Sequence, residues 1–149
     1  MRAYKVFAIK DGTVIDHIPS GKAFALIELL GLHKSDSIVT MGTHFRSKKI
    51  GKKDIVKIEH KELSPEEVNQ VSLIAPSASI NIIRNFKVAK KFIITIPPVF
   101  KDIITCPNPK CITNSESAPS KFYSKMKNGH LALRCHYCEK IYMQEELHR

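Results

Sequence analysis

The sequence has no tryptophan, and none of its four cysteines lies before position 106 of its 149 residues. With only four tyrosines and seven phenylalanines besides, it has few rings for stacking against single-stranded nucleic acid. The missing cysteines exclude a disulfide or thiolate metal site from the first two thirds of the chain. No apolar run approaches the roughly 18 residues that a membrane-spanning helix needs. No cationic stretch leads into an apolar one at the start. These absences predict a cytoplasmic protein without a membrane partner, in which structural disulfides are not expected. Also missing are a phosphate-binding Gly-rich loop, a nucleophile elbow and a helical His pair, so no catalytic activity is expected. Acids are scarce as well, 14 against 24 Lys and Arg, for a net charge of +10. That balance favours anionic partners (nucleotides, nucleic acid or an acidic protein surface) without choosing among them. Genome composition or heat adaptation accounts for the many Lys and Ile residues as well as an anionic partner does.

A chain of this length suits one ordinary domain or two small ones. A unit of about 50 residues buries too little surface to stand without a metal, a disulfide or a partner. Confinement of Cys106, Cys111, Cys135 and Cys138 to the last third therefore predicts a separate metal-held module.

Tyr4 to Ile9 reads as a strand, and after the Asp11-Gly12 turn Thr13 to Ile18 reads as another. Gly21 to Leu30 reads as a well-buried helix, with Phe24, Ile27 and Leu30 at helical spacing, Ser20 as N-cap and Gly31 as the stop. Ser37 to Met41 and Asp54 to Glu59 read as strands joined by a solvated basic loop, Arg46 to Lys53. Ser64-Pro65-Glu66-Glu67 is a capping box with Pro at the first helical position, opening a helix that runs to Pro76. Ser79 to Arg84 and Phe86 to Ile96 then read as β, with Phe92, Ile94 and Ile96 on one face. The order predicts an α+β fold: a ferredoxin-like βαββαβ sandwich with one sheet face left open for a ligand or partner. Pro97-Pro98 places the junction, giving domains 1–97 and 98–149.

Cys106-Pro-Asn-Pro-Lys-Cys111 and Cys135-His-Tyr-Cys138 present two thiolates each from a tight turn, the pattern of a tetrahedral S₄ zinc site. Four protein ligands leave no open position, so the metal is expected to be structural, holding a small all-β domain. Strands at Phe122 to Met126 and Leu131 to Leu133 flank an Asn128-Gly129 hairpin turn. A redox C-x2-C pair, disulfides and an iron site are the competing readings, and His130 or His136 as ligand is a further one.

On the first domain three residues stand out. Asp16 shares a strand face with Val14 and Ile18, an odd place for a carboxylate without a hydrogen-bonding partner such as a ribose. Lys57 and Lys91 project from strands beside Ile55 and Ile93, and their ammonium groups suit polyphosphate. His17, next to Asp16, is expected on the opposite face and forms no catalytic dyad.

Five segments in order, Gly12-Thr-Val-Ile-Asp-His-Ile-Pro19, Gly51-Lys-Lys-Asp-Ile-Val-Lys-Ile-Glu59, Ala75-Pro-Ser-Ala-Ser-Ile-Asn81, Cys106-Pro-Asn-Pro-Lys-Cys-Ile112 and Cys135-His-Tyr-Cys-Glu139, resemble the aspartate carbamoyltransferase regulatory chain. The resemblance implies a non-catalytic subunit of pyrimidine biosynthesis. Its ferredoxin-like domain would bind CTP and ATP as allosteric effectors and pair with a second regulatory chain. Its zinc domain, with one Zn²⁺ per chain, would dock on the catalytic chain, so that three regulatory dimers bridge two catalytic trimers in a dodecamer, with no nucleic acid. Position by position it implies Lys91 at the triphosphate, Asp16 at the ribose and Lys57 at ribose and base. It also implies Val6, Ala8 and Ile9 as a base-reading strand, with His17, Asn81 and Val88 lining the site. Asn108 and Glu139 match contacts to the catalytic chain, whereas Phe7, Phe86, Lys110 and His136 depart from the family's pattern. The rival is a basic zinc-ribbon nucleic-acid-binding protein, which the charge and the Arg46 to Lys53 loop suit but the scarcity of aromatics does not.

Overall fold

A computed structural model describes residues 8–48, 51–116 and 118–147. The chain divides into two units, one ending at Thr95 and one beginning at Ile96. The first contains β1 (Gly12–Pro19), α1 (Ala23–Leu29), β2 (Val39–Ser47), β3 (Gly51–Glu59), α2 (Pro65–Ile74), β4 (Ser79–Arg84) and β5 (Lys87–Ile93). Its antiparallel sheet runs β2-β3-β1-β4-β5. That is a βαββαβ sandwich with β5 added at one edge by a hairpin. The strand expected over Tyr4 to Ile9 lies mostly outside the described residues, and Ala8 and Ile9 belong to no strand.

Alternation along the strands decides which face is covered. Val56 and Ile58 of β3, Ile15 and Ile18 of β1, and Ile80 and Ile82 of β4 meet Leu26, Ile27, Val71 and Ile74 of the helices in one core. Lys53, Ile55 and Lys57 therefore face the other way. The α2 capping box is present: the Glu67 N–H donates to Ser64 Oγ (3.2 Å) and the Ser64 N–H to Glu67 Oε1 (2.9 Å).

Helix α1 departs from expectation. Its N-cap is Lys22, without a side-chain cap bond, and Ser20 instead hydrogen-bonds His44. The cap comes from β3: Asp54 Oδ2 accepts from the N–H groups of Gly21 (2.9 Å) and Ala23 (3.0 Å), while Oδ1 accepts from His44 N–H (3.0 Å). Phe24, expected in the core, is 61% exposed, because the buried stripe of α1 runs through Ala23, Leu26 and Ile27. The basic segment read as a loop is largely strand, with Phe45 opposite Lys53, Arg46 opposite Lys52 and Ser47 opposite Gly51. Strand β5 stops at Ile93; Ile94 is buried, and Ile96 opens the second unit.

The second unit is a four-stranded antiparallel sheet, β6 (Val99–Lys101), β7 (Lys121–Lys127), β8 (His130–Cys135) and β9 (Ile141–Met143) in that spatial order, plus a one-turn helix α3 (Ile112–Ser115). Asn128 and Gly129 both take positive φ, 51° and 78°, which a two-residue turn matching strand twist requires. Phe100, Phe122, Leu131 and Leu133 are buried on one side of this sheet. Among the described residues no helix is long and apolar enough to cross a membrane.

Candidate functional site

Two constellations carry chemistry, one in each unit. In the second, the C-x4-C turn is tied by the Asn114 amide, which donates to the carbonyls of Cys106 (2.8 Å) and Asn108 (2.7 Å). The C-x2-C turn closes through Glu139 N–H to Cys135 O (3.0 Å), with Glu139 at φ 62°. The four Sγ atoms lie within 4.8 Å of one another, with Cys106 to Cys138 and Cys111 to Cys135 each at 3.7 Å. A tetrahedron with metal–sulfur bonds of about 2.3 Å has edges of about 3.8 Å, so the donor set fits a tetrahedral thiophilic ion.

The thiols are not alike. Burial and the neighbouring sulfurs push Cys106 up to about 12, against the opposing Asn108 N–H. Burial also raises Cys135. For Cys111 burial is outweighed by hydrogen bonds from Thr113 and the neighbouring thiols, bringing it down to about 7. Cys138 is likewise lowered, burial being overcome by the Lys140 N–H and the Asn108 side chain. The four neighbouring thiols ionise as one cluster, and a cation favours that ionisation. His130 faces Glu145 (3.8 Å) and His136 faces the Tyr123 hydroxyl (2.7 Å), so neither joins the cluster.

The other constellation lies on the open sheet face of the first unit. Direct pairing aligns Lys57 of β3, Val14 of β1, Asn81 of β4 and Lys91 of β5 in a row. At the usual strand spacing the row is about 14 Å from end to end. Asn81 Nδ2 donates to Val14 O (3.3 Å). Asp16 stands in the next row, opposite Ser79.

Asp16 and His17 form a β-bulge, since β1 advances three residues from Ile15 to Ile18 while β3 advances two. The extra residue restores Ile18 to the core and keeps His17 from it, so strict alternation, which sent His17 to the opposite face, fails here. His17 has φ 60°, its N–H donates to Asp16 Oδ1 (2.7 Å), and its Nδ1 lies 3.2 Å from Ser79 Oγ. Asp16 also pairs with Lys53, at 3.0 Å. Lys53 was hidden in the sequence by the reading of 46–53 as loop; as strand, its parity with Ile55 and Lys57 places it on this face. Burial holds the Lys57 ammonium below its ordinary value, with Asp16 pulling the other way.

Lys53, Lys57 and Lys91 against Asp16 leave this part of the face with an excess of positive charge. Val88, opposite Ile83, is exposed. The chain before β1 passes the β4–β5 turn, where Phe86 N–H donates to Lys10 O (2.9 Å) and Asn85 N–H to Asp11 Oδ1 (3.0 Å). That brings exposed Ala8 and buried Ile9 toward the Val88 end. Val6 lies outside the described residues.

Residues 4–95 match the family model for the aspartate carbamoyltransferase regulatory chain, allosteric domain, and residues 98–148 match its metal binding domain. The chain is 52% identical over 149 residues to the aspartate carbamoyltransferase regulatory chain of Pyrococcus horikoshii, covering 99% of this chain and 97% of that one. With that of Pyrococcus furiosus the identity is 50% over 149 residues, at the same coverage. With that of Phocaeicola vulgatus it is 46% over 144 residues, covering 97% of this chain and 92% of that one. The chain belongs to the aspartate carbamoyltransferase regulatory chain family, as a non-catalytic chain with an allosteric and a metal-binding domain.

Proposed function

We propose that the open face of the first unit binds nucleoside triphosphates, CTP and ATP, as allosteric effectors. The observation that carries this is the row from Lys57 to Lys91 with Asp16 beside it: cations at both ends, a carboxylate between them, and an apolar end at Val88 and Ile9. Lys91 takes the phosphates, Asp16 the ribose hydroxyls and Lys57 the ribose and base. Val6, Ala8, Ile9, His17, Asn81 and Val88 line the base and sugar.

In the second unit Cys106, Cys111, Cys135 and Cys138 hold one structural Zn²⁺, and this domain, taken as 98–149, docks on the catalytic chain. Domain 1–97 pairs with a second regulatory chain, and three such dimers bridge two catalytic trimers in the cytoplasm. The effector acts only through differential affinity for the states of that assembly, with a coupling of about 1–3 kcal/mol.

Titration of the zinc-loaded chain with CTP and ATP by calorimetry tests the site. Lys91→Ala is expected to weaken triphosphate binding about tenfold or more, the worth of one charge-assisted contact. Unchanged affinity removes Lys91 from the site. A bound anion raises the lowered pKa of Lys57, so binding takes up protons in that range. Affinity is therefore expected to fall as pH rises toward the lysine range, and an affinity flat between pH of about 7 and 9.5 argues against an ionised Lys57 contact.

A further inference from the structure

Two helices serve the sheet of the first unit, and β5, added at its edge by a hairpin, has no helix of its own. On the helix side this leaves a cleft of about 530 Å³ between the first turns of α2 and strands β4 and β5. Its floor is apolar: Ile80 and Ile82 are buried, and Leu63, Val68 and Phe92 are partly so.

One lysine stands over that floor. From Ile83 to Ile82 β4 moves one residue, while β5 moves two, from Val88 to Lys90, leaving Ala89 unpaired. The bulge sets Lys90 opposite Ile82 on the helix side, whereas Lys91 stands opposite Asn81 on the open face. The Lys90 ammonium lies 5.8 Å from the centroid of the Phe92 ring, and among the described residues it forms no ion pair. Arg84, the other cation lining the cleft, is answered by Glu62 at 3.1 Å. Two cations thus meet one carboxylate, and Lys90 carries the charge left over. Asn69 and Thr95 add neutral hydrogen-bonding groups. Repelling other strands from this edge needs charge anywhere along β5, which Lys87 and Lys91 already supply. It does not need a lysine turned over an apolar cleft.

We propose that this cleft binds a small organic anion with an apolar body and a single carboxylate, the body resting on Ile80, Ile82 and Phe92 and the carboxylate on Lys90. The volume falls within the roughly 300–1,000 Å³ of small-molecule sites, as does the pattern of an apolar floor with a few polar groups. One uncompensated cation suits one negative charge, whereas a triphosphate brings more than these side chains can answer. The site lies across the sheet from the row of Lys57 and Lys91 and stands independently of the nucleotide reading.

The test uses the full zinc-loaded chain saturated with CTP, with 3-phenylpropionate as probe and its neutral amide, 3-phenylpropanamide, as control. Amide shifts in a ¹H–¹⁵N spectrum are expected at Ile82, Lys90 and Phe92, with an affinity on the order of millimolar for a probe of this size. The neutral amide should bind about threefold or more weaker, the worth of one exposed ion pair. Lys90→Gln, at an exposed position, should leave the melting temperature unchanged and abolish the preference for the carboxylate. No shifts at these residues, or shifts confined to Asn81 and Lys91, overturn the proposal. Equal binding of acid and amide, or a preference that survives Lys90→Gln, removes the anion from it and overturns it as stated. Loss of the probe's saturation-transfer signal on adding the catalytic trimer of the same organism would make the cleft a protein contact instead.

Discussion

Chelating the metal from the full chain should unfold the unit that begins at Ile96 and leave the unit that ends at Thr95 folded. The second unit has about 50 residues, a size at which a core alone rarely suffices. Its large fully buried apolar side chains are Phe100, Phe122, Leu131 and Leu133. Three of its four cysteines are buried as well. Without a cation, those thiols pack polar, partly ionised groups into that small core. With it, the two turns and the strand end at Cys135 are tied to one point. Structural zinc sites bind with apparent free energies of about 10–16 kcal/mol, as large as the whole stability of an ordinary domain, so the binding energy is folding energy. Hydrogen exchange makes the measurement local. The amides of Phe122 and Leu133 should lose their protection on metal removal while those of Ile15 and Ile80 keep theirs, and Cys135→Ser should reproduce the loss. Persistent protection of β7 and β8 in metal-free chain would show that the core holds the unit and the metal only decorates it.

What sequence reasoning recovers depends on how local the determining interaction is. The capping box at Ser64 and Glu67 is spelled out within four residues, and so is the Asn128-Gly129 turn; both appear as read. The cysteine spacing is nearly as local, because each pair makes its own turn and only the meeting of the turns is long-range. The cap of α1 is not local at all. It comes from Asp54, 31 residues beyond Ala23, and nothing near Ser20 signals that its hydroxyl will go to His44.

The bulge at Asp16 and His17 escapes for a different reason. Periodicity assumes two residues per repeat, and one inserted residue reverses the parity of everything after it. Read with strict alternation, Asp16 and Ile18 share a face; in the structure Ile18 is in the core and Asp16 is not. Lys57 and Lys91 were legible as strand residues projecting from one face because no irregularity separates them from their row, whereas Asn81 between them came only from the family resemblance. Lys53 was not, since a run of five cations within Arg46 to Lys53 reads as solvated loop until its pairing with β2 and β1 is known. Phe24 shows the limit of helical spacing, which fits more than one stripe when nearly every residue of a short helix is apolar.

The largest single-residue effect on the first unit is expected at Asp54, which is 0% exposed and among the described residues forms no ion pair. Its carboxylate is satisfied by the N–H groups of Gly21, Ala23 and His44, and so joins the start of α1 and the end of β1 to β2, whose pairing with β3 shifts register between Gly42 and Phe45. Asp54→Ala removes that acceptor and orphans three donors at once. The buried Ala23 donor left unsatisfied costs about 1–3 kcal/mol; the Gly21 and His44 donors, only part-buried, cost less because water can reach them, and relief of the carboxylate's own desolvation returns part of the sum. A net loss of about 2–3 kcal/mol is expected, a large fraction of a domain's stability and enough to lower the melting temperature of this unit by roughly 10 °C or more. Helix α1, with seven residues and no cap of its own, cannot compensate by propensity. Asp54→Asn keeps the volume and one acceptor oxygen but turns an amide N–H₂ toward a backbone donor, so it should fall between wild type and Asp54→Ala. Urea unfolding followed by a probe in the first unit would decide the matter. A change below about 1 kcal/mol for Asp54→Ala would mean that water reaches the freed N–H groups and that the packing of Leu26 and Ile27 suffices to hold α1. The neighbouring Lys53 makes the stability result relevant to effector binding. If Asp54 fixes this end of β3, the Lys53–Asp16 pair loosens in Asp54→Ala, and triphosphate affinity should fall at temperatures where the unit is still folded.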